Sequence, residues 1–235
     1  MNEAELPPSR QQIVDGINVK AQLKNKVFLQ TLEVFALLKE VLHEMSNDVN
    51  ELLEDEDNRR IRFEYRDRGK FEAELKFADD VLIFSMHSDV FQFDRNHPIW
   101  KNEMVEADPM ASYCGMISVY NFLTDSFKYN RQDDLGYLVA RLFVNKDKHY
   151  FTEGKRQQTK KLKDFGARVI DKPSLVSIVE TAVLYAFSFD LLVPPYDMVA
   201  QATVEQMNAK IDSSKMQTGK RLGFSFRSDD VSDNY

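Results

Sequence analysis

The chain has 235 residues, 43% of them hydrophobic, with 38 acidic and 31 basic side chains and a formal net charge of −7. That supports one large core or two small ones and argues against a surface coated for non-specific nucleic-acid binding, leaving only a local basic patch for such a role. One cysteine, Cys114, excludes an intramolecular disulfide framework, and no apolar run approaches the ~20 residues of a membrane-spanning helix.

Residues 1–16 are polar, carry Pro7-Pro8 and are expected to form a disordered N-terminus. MNEAELPPSRQQ shows no basic region followed by an apolar block, so a reducing, cytoplasmic setting is expected. A long helix is predicted from about Asn18 to Leu53. Leu23, Val27, Val34, Leu38, Val41, Met45 and Leu52 recur at intervals of 4, 7, 4, 3, 4 and 7, a heptad-like stripe. The stripe favours a core helix lying along a sheet, or two helices read as one, over the sharper reading of a helix that pairs with a second copy of the chain. Glu54-Asp55-Glu56-Asp57-Asn58 then reads as a solvated acidic loop.

Strand periodicity follows. Ile61, Phe63 and Tyr65 alternate with charged residues, Asp67-Arg68-Gly69-Lys70 supplies turn chemistry, and Phe71, Ala73, Leu75 and Phe77 alternate again. Val81 to Met86 is a third strand, extended by Val90 to Phe93. His97 to Pro109 reads as irregular, Met116 to Leu123 as another strand and Thr124 to Asp134 as a loop. The stretch Leu135 to Arg156 is a predicted β-hairpin around Asn145-Lys146-Asp147-Lys148, whose Asn and Asp tolerate turn backbone. Leu135, Leu138, Val139, Leu142 and Phe143 also fit helical spacing, with Asp133 or Asp134 as cap. The β-formers Val139, Phe143 and Val144 favour the strand.

Asp171 can cap a helix beginning near Pro173 and running from Ser174 to about Leu191, apolar almost all round and hence buried. Pro194-Pro195 stops it, and a second helix is predicted over Tyr196 to Ile211. The expectation is therefore an α+β fold: an antiparallel sheet of about five to six strands with a long N-terminal helix and two C-terminal helices. Residues 17–212 form one domain, and 213–235 a mobile tail. The layout resembles sensor domains of the PAS or GAF sort, and fold-level likeness assigns no activity.

Charge is concentrated in one place. Lys146, Lys148, Lys155, Arg156, Lys160, Lys161 and Lys163 outnumber Asp147 and Glu153. Lys146, Lys148, His149, Lys155, Arg156, Lys160 and Lys161 are the candidate binding residues, for an anionic ligand or an acidic protein surface. The bland reading is a solvated strip that keeps a sheet edge from aggregating. Glu153-Gly154-Lys155 resembles the E-x-K of restriction-endonuclease-like nucleases, in which a carboxylate holds Mg and the lysine steadies the attacking water or the scissile phosphate. That alternative, a metal-dependent phosphodiesterase or nuclease, needs an upstream acid, for which Asp134 and Asp147 are candidates. Glu74-Leu75-Lys76 is a second instance of the triplet. No pair of the four histidines has metal-ligand spacing, and no P-loop, dinucleotide fingerprint or nucleophile elbow occurs. His87-Ser88-Asp89 reads as a turn rather than part of a triad, and Cys114 as a small buried hydrophobe.

SYCGMISVYNFLTDSFKYNRQDDLGYLVARLFVNKDKHYFTEGKR, from Ser112 to Arg156, with Val81 to His87 before it, resembles a segment of an uncharacterised bacterial protein family of similar length. The resemblance implies a bacterial, cytoplasmic origin and no activity, cofactor or ligand. The favoured expectation is a non-enzymatic, sensor-like or protein-interaction domain without a cofactor, self-associating as a homodimer through its long helix.

Overall fold

A computed structural model of the chain describes residues 8–53, 62–132, 134–154, 162–188, 201, 203–205 and 208. The N-terminal half is organised by one helical rod. Helix α1 (Pro8–Gly16) runs through a π-helical turn (Ile17–Ala21) into helix α2 (Gln22–Leu52). Gly16, Ala21 and Gln22 all keep right-handed helical backbone angles, so nothing breaks the rod between its parts. It ends at Leu53, which turns to an extended conformation.

The heptad-like stripe has one use in this fold. Val27, Val34, Leu38 and Val41 are buried with Thr31, Phe35 and Leu42 against the sheet. Residues at i, i+3, i+4 and i+7 share one face of a helix, and here that face is the core face. Thr31 donates its hydroxyl to the Val27 carbonyl at 2.8 Å, which satisfies a polar group in an apolar layer. Helix α1 and the π-helical turn bury no side chain at all.

Among the described residues seven strands follow: β1 (Glu64–Asp67), β2 (Glu72–Phe77), β3 (Asp80–Met86), β4 (Phe91–Gln92), β5 (Tyr113–Leu123), β6 (Tyr137–Asn145) and β7 (Tyr150–Gly154). The order across the sheet is β1-β2-β3-β5-β6-β7, all antiparallel, with β4 paired to β5 beside β3. Short helices α3 (Glu103–Ala107) and α4 (Thr124–Lys128) sit in the connections, and α5 (Lys172–Ala186) follows the sheet. Helices α2 and α5 cover one face. Leu75, Leu82, Phe84, Ile117 and Leu142 meet Leu38, Leu42, Leu175 and Val179 there. Part of the other face is covered by a second cluster, in which Cys114, Phe143 and Phe151 meet Ile99, Val105 and Phe165.

The α+β class holds, with the long helix, the antiparallel sheet and, within the expected Leu135–Arg156 hairpin, the strands Tyr137–Asn145 and Tyr150–Gly154. Among the described residues the sheet has seven strands, against the about five to six expected. The difference is β4: Phe91 and Gln92 do not prolong β3 but form a separate strand that pairs with Cys114 and Tyr113. Residues 97–109 are helical turns rather than irregular chain. His97, Asn102 and Asp108 each accept a hydrogen bond from a backbone amide two residues on, and so cap successive short helices. Thr124–Lys128 is likewise a helical turn within the expected loop. Asp171 caps α5 by accepting from the Ser174 amide at 2.9 Å, and that helix ends at Ala186. The acidic loop 54–58 and most of the second C-terminal helix, Tyr196–Ile211, lie outside the described residues, as does the tail 213–235.

Candidate functional site

The hairpin that carries the candidate binding residues is held by its own turn. Lys148 adopts φ +60°, and the Asn145 carboxamide oxygen accepts from the amides of Asp147 and His149 at 2.9 and 3.0 Å. Asn145 is fully buried, so its side chain replaces backbone partners that the tight turn cannot supply. The charged residues around it are engaged. Lys146 reaches Asp108 at 2.6 Å, Lys148 reaches Glu33 of α2 at 2.7 Å, and Asp147 receives Lys26 of α2 at 3.0 Å. The Lys146 ammonium beside Asp108 holds that carboxyl below the usual carboxylate range. An anion arriving at Lys146 or Lys148 would compete with these acids. His149 is half-buried and bridges to Val169, and its Nδ1 is buried without a hydrogen-bond partner among the described residues. Lys155, Arg156, Lys160 and Lys161 lie outside the described residues.

The E-x-K reading divides in the same way, because Lys155 is not described. Glu153 on β7 faces Arg141 on β6, and its Oε2 accepts from Arg141 Nη2 at 2.6 Å. Its Oε1 lies 3.7 Å from His97 Nε2. The Ile99 amide donates to His97 Nδ1 at 3.2 Å, so in the neutral ring the proton sits on Nε2, aimed at the carboxylate. Arg141 stacks over Phe143, and His97 packs against Phe93. Asp134 accepts from Ser126 Oγ at 2.6 Å, away from this cluster's bonds, while Asp147 is in the turn at the other end of the hairpin. Glu153 is four residues beyond His149, about 13 Å of strand. Among the described residues no three His, Cys, Asp or Glu side chains are disposed to hold a metal ion.

Other singled-out residues take structural roles. His87 Nδ1 accepts from the Asp89 amide at 3.0 Å, which is turn chemistry. Cys114 is fully buried, and desolvation pushes its thiol far up from its ordinary value. Asp80 is held above the usual carboxylate range by burial, although Asn121 donates to it at 3.0 Å.

Two surfaces were not legible as sites. The first is an apolar groove of about 540 Å³ at the C-terminal end of α2, lined by Met45, Val49, Phe63, Phe77, Val183 and Phe187 with Arg62 and Glu180 among the remaining lining residues. It needs three segments far apart in sequence. The second is the rod's N-terminal arm. From Pro8 to Ala21 every side chain is exposed, including Ile13 (61%), Val14, Ile17 (57%) and Val19. Four branched apolar residues within seven positions were the available signal, masked by a composition that is otherwise polar.

Among the described residues no helix is long and apolar enough to cross a membrane. No protein-family model, curated protein or solved structure matches the chain.

Proposed function

We propose that this chain is a non-enzymatic cytoplasmic protein-interaction domain that self-associates through its N-terminal helix. The observation that carries the reading is the arm Pro8–Ala21, helical throughout yet without one buried side chain. At 1.5 Å per residue it extends about 20 Å. A helical segment of that length is marginal in water by itself, and helices in proteins draw most of their stability from packing an apolar face. Ile13, Val14 and Ile17, within about 100° of one another around the helix axis, provide such a face, and nothing among the described residues covers it.

A symmetric pair of copies is the commonest way to bury a self-complementary patch. The ion pairs of the basic hairpin favour this reading over anion capture, because Lys146 and Lys148 already serve to tie the turn to Asp108 and to α2. The engagement of Glu153 with Arg141 and His97 favours it over metal-assisted phosphodiester hydrolysis.

Sedimentation of the wild type and an Ile13→Glu/Ile17→Glu variant tests the proposal. The wild type should sediment as a dimer of the 27.4 kDa chain at micromolar concentration, and the variant as a monomer with an unchanged circular dichroism melting temperature. A wild type that stays monomeric at high concentration defeats the reading, and so does a variant that dimerises as well as the wild type.

A further inference from the structure

If the chain self-associates through its arm, the reading on which all of the following rests, the arm of one copy needs a receiving surface on the other. Arm against arm is too little. Two helices about 20 Å long and about 10 Å across, laid side by side, bury about 400 Å² in all, well under the roughly 1,200 Å² of a stable pair. A second apolar surface is required.

The groove at the C-terminal end of α2 supplies one. Met45 and Val49 continue the core stripe of α2 there but are only part-buried. The rings of Phe63 and Phe77 stack at 5.4 Å, and Phe187 packs on Phe77 at 4.9 Å, so the apolar lining is already assembled. Leu184 and Phe187 line it from the end of α5 and are exposed. The lining carries one acid and one base, Glu180 and Arg62, both exposed and without an ion-pair partner among the described residues. Within one chain the arm and the groove cannot meet. Ile17 and Met45 are 28 residues apart on one unbroken rod, about 42 Å at 1.5 Å per residue. Tyr120, Phe127, Tyr137 and Leu138 on the sheet side are exposed as well, but Arg68 lies over Phe127 there.

We infer that the arm of each copy lies in the groove of the other, with Ile13, Val14 and Ile17 against the Phe63, Phe77, Leu184 and Phe187 side chains. Arg10 shares the face of these three residues, at i, i+3, i+4 and i+7, the spacing by which a helix anchors in an apolar groove. Arg10 is exposed and without an ion-pair partner among the described residues, and it comes to rest beside Glu180 and away from Arg62. Beside Phe127 it would meet Arg68 instead, so charge favours the groove over the sheet patch. A two-fold pair makes the contact twice. The buried area is then at least double that of arm against arm, and the groove walls add the flanks of each arm.

Sedimentation of a Leu184→Glu variant, of the Ile13→Glu/Ile17→Glu variant and of their mixture tests the contact. Leu184 is 65% exposed, so its replacement leaves the fold intact, and Tyr137→Glu, at a site 73% exposed, controls for an added surface charge. Leu184→Glu should weaken dimerisation by about tenfold or more, because each contact then encloses an unpaired carboxylate. Tyr137→Glu should dimerise as the wild type does. The two groove and arm variants, each impaired alone, should form a heterodimer when mixed, since the intact arm of one meets the intact groove of the other. A Leu184→Glu chain that dimerises as well as the wild type, as it would if another stretch of the same chain filled the groove, overturns the arm-in-groove contact and leaves self-association standing. So does a mixture without heterodimer, or equal weakening by Tyr137→Glu. A wild type monomeric at every concentration overturns both.

Discussion

Gly115 sits where β5 passes under α2, and it is the residue whose replacement has the plainest consequence. A Cβ there would lie 2.1 Å from the Thr31 hydroxyl oxygen and 2.8 Å from Thr31 Cβ, both within a buried layer. Gly115→Ala should cost about 1–3 kcal/mol, the usual range for overpacking a close-packed core, read as a lowered urea midpoint. At Asp108 the consequence depends on pH. Lys146 lowers this carboxyl below its ordinary value of 3.8, so on acidification the unfolded chain takes up the proton first. The stability the pair contributes is complete above that value and is lost as the pH falls through it toward the folded-state one. Asp108→Asn should therefore flatten part of the loss of stability in urea titrations below about pH 4, and an unchanged acid profile would contradict the Lys146 assignment. Asp80 has the opposite sign. Burial raises its carboxyl, so its contribution falls as pH rises above the ordinary value, and Asp80→Asn should not weaken the fold at neutral pH.

At the scale of the element, α5 depends on its cap. Asp171→Ala removes the acceptor for the Ser174 amide and should destabilise the protein by about 1 kcal/mol, measurable by thermal melting. That cap was readable because Asp before Lys-Pro at the start of an apolar run is a local signal. So were the β2 alternation and the Asn145–Lys148 turn, each fixed by residues adjacent in the chain. What escaped depends on distant partners. β4 is only Phe91 and Gln92, too short to show a period, and exists because Cys114 and Tyr113 offer it an edge. The bulge between Val119 and Tyr120 in the β5–β6 register places both Val139 and Ala140 on the helix side, which simple alternation cannot anticipate. The heptad spacing in α2 was legible, and the core reading it favoured is the use the fold makes of it, although a stripe facing a sheet and a stripe facing a second helix have the same period. In the candidate site, the lysines of the hairpin were visible while the acids that engage them, Asp108 and Glu33, lie 38 and more than 100 residues away in sequence.

For the whole molecule, the rod carries the account. Its buried face serves the core, and the proposed self-association would use the exposed arm Pro8–Ala21. Removing the arm should leave the fold intact, because no side chain from Pro8 to Ala21 is buried. The most direct measurement is light scattering on the full chain and on a chain lacking residues 1–21, at matched concentrations. The account predicts a mass twice the 27.4 kDa of one chain for the first and a folded monomer for the second. A monomeric full chain, or a shortened chain that remains dimeric, would contradict it.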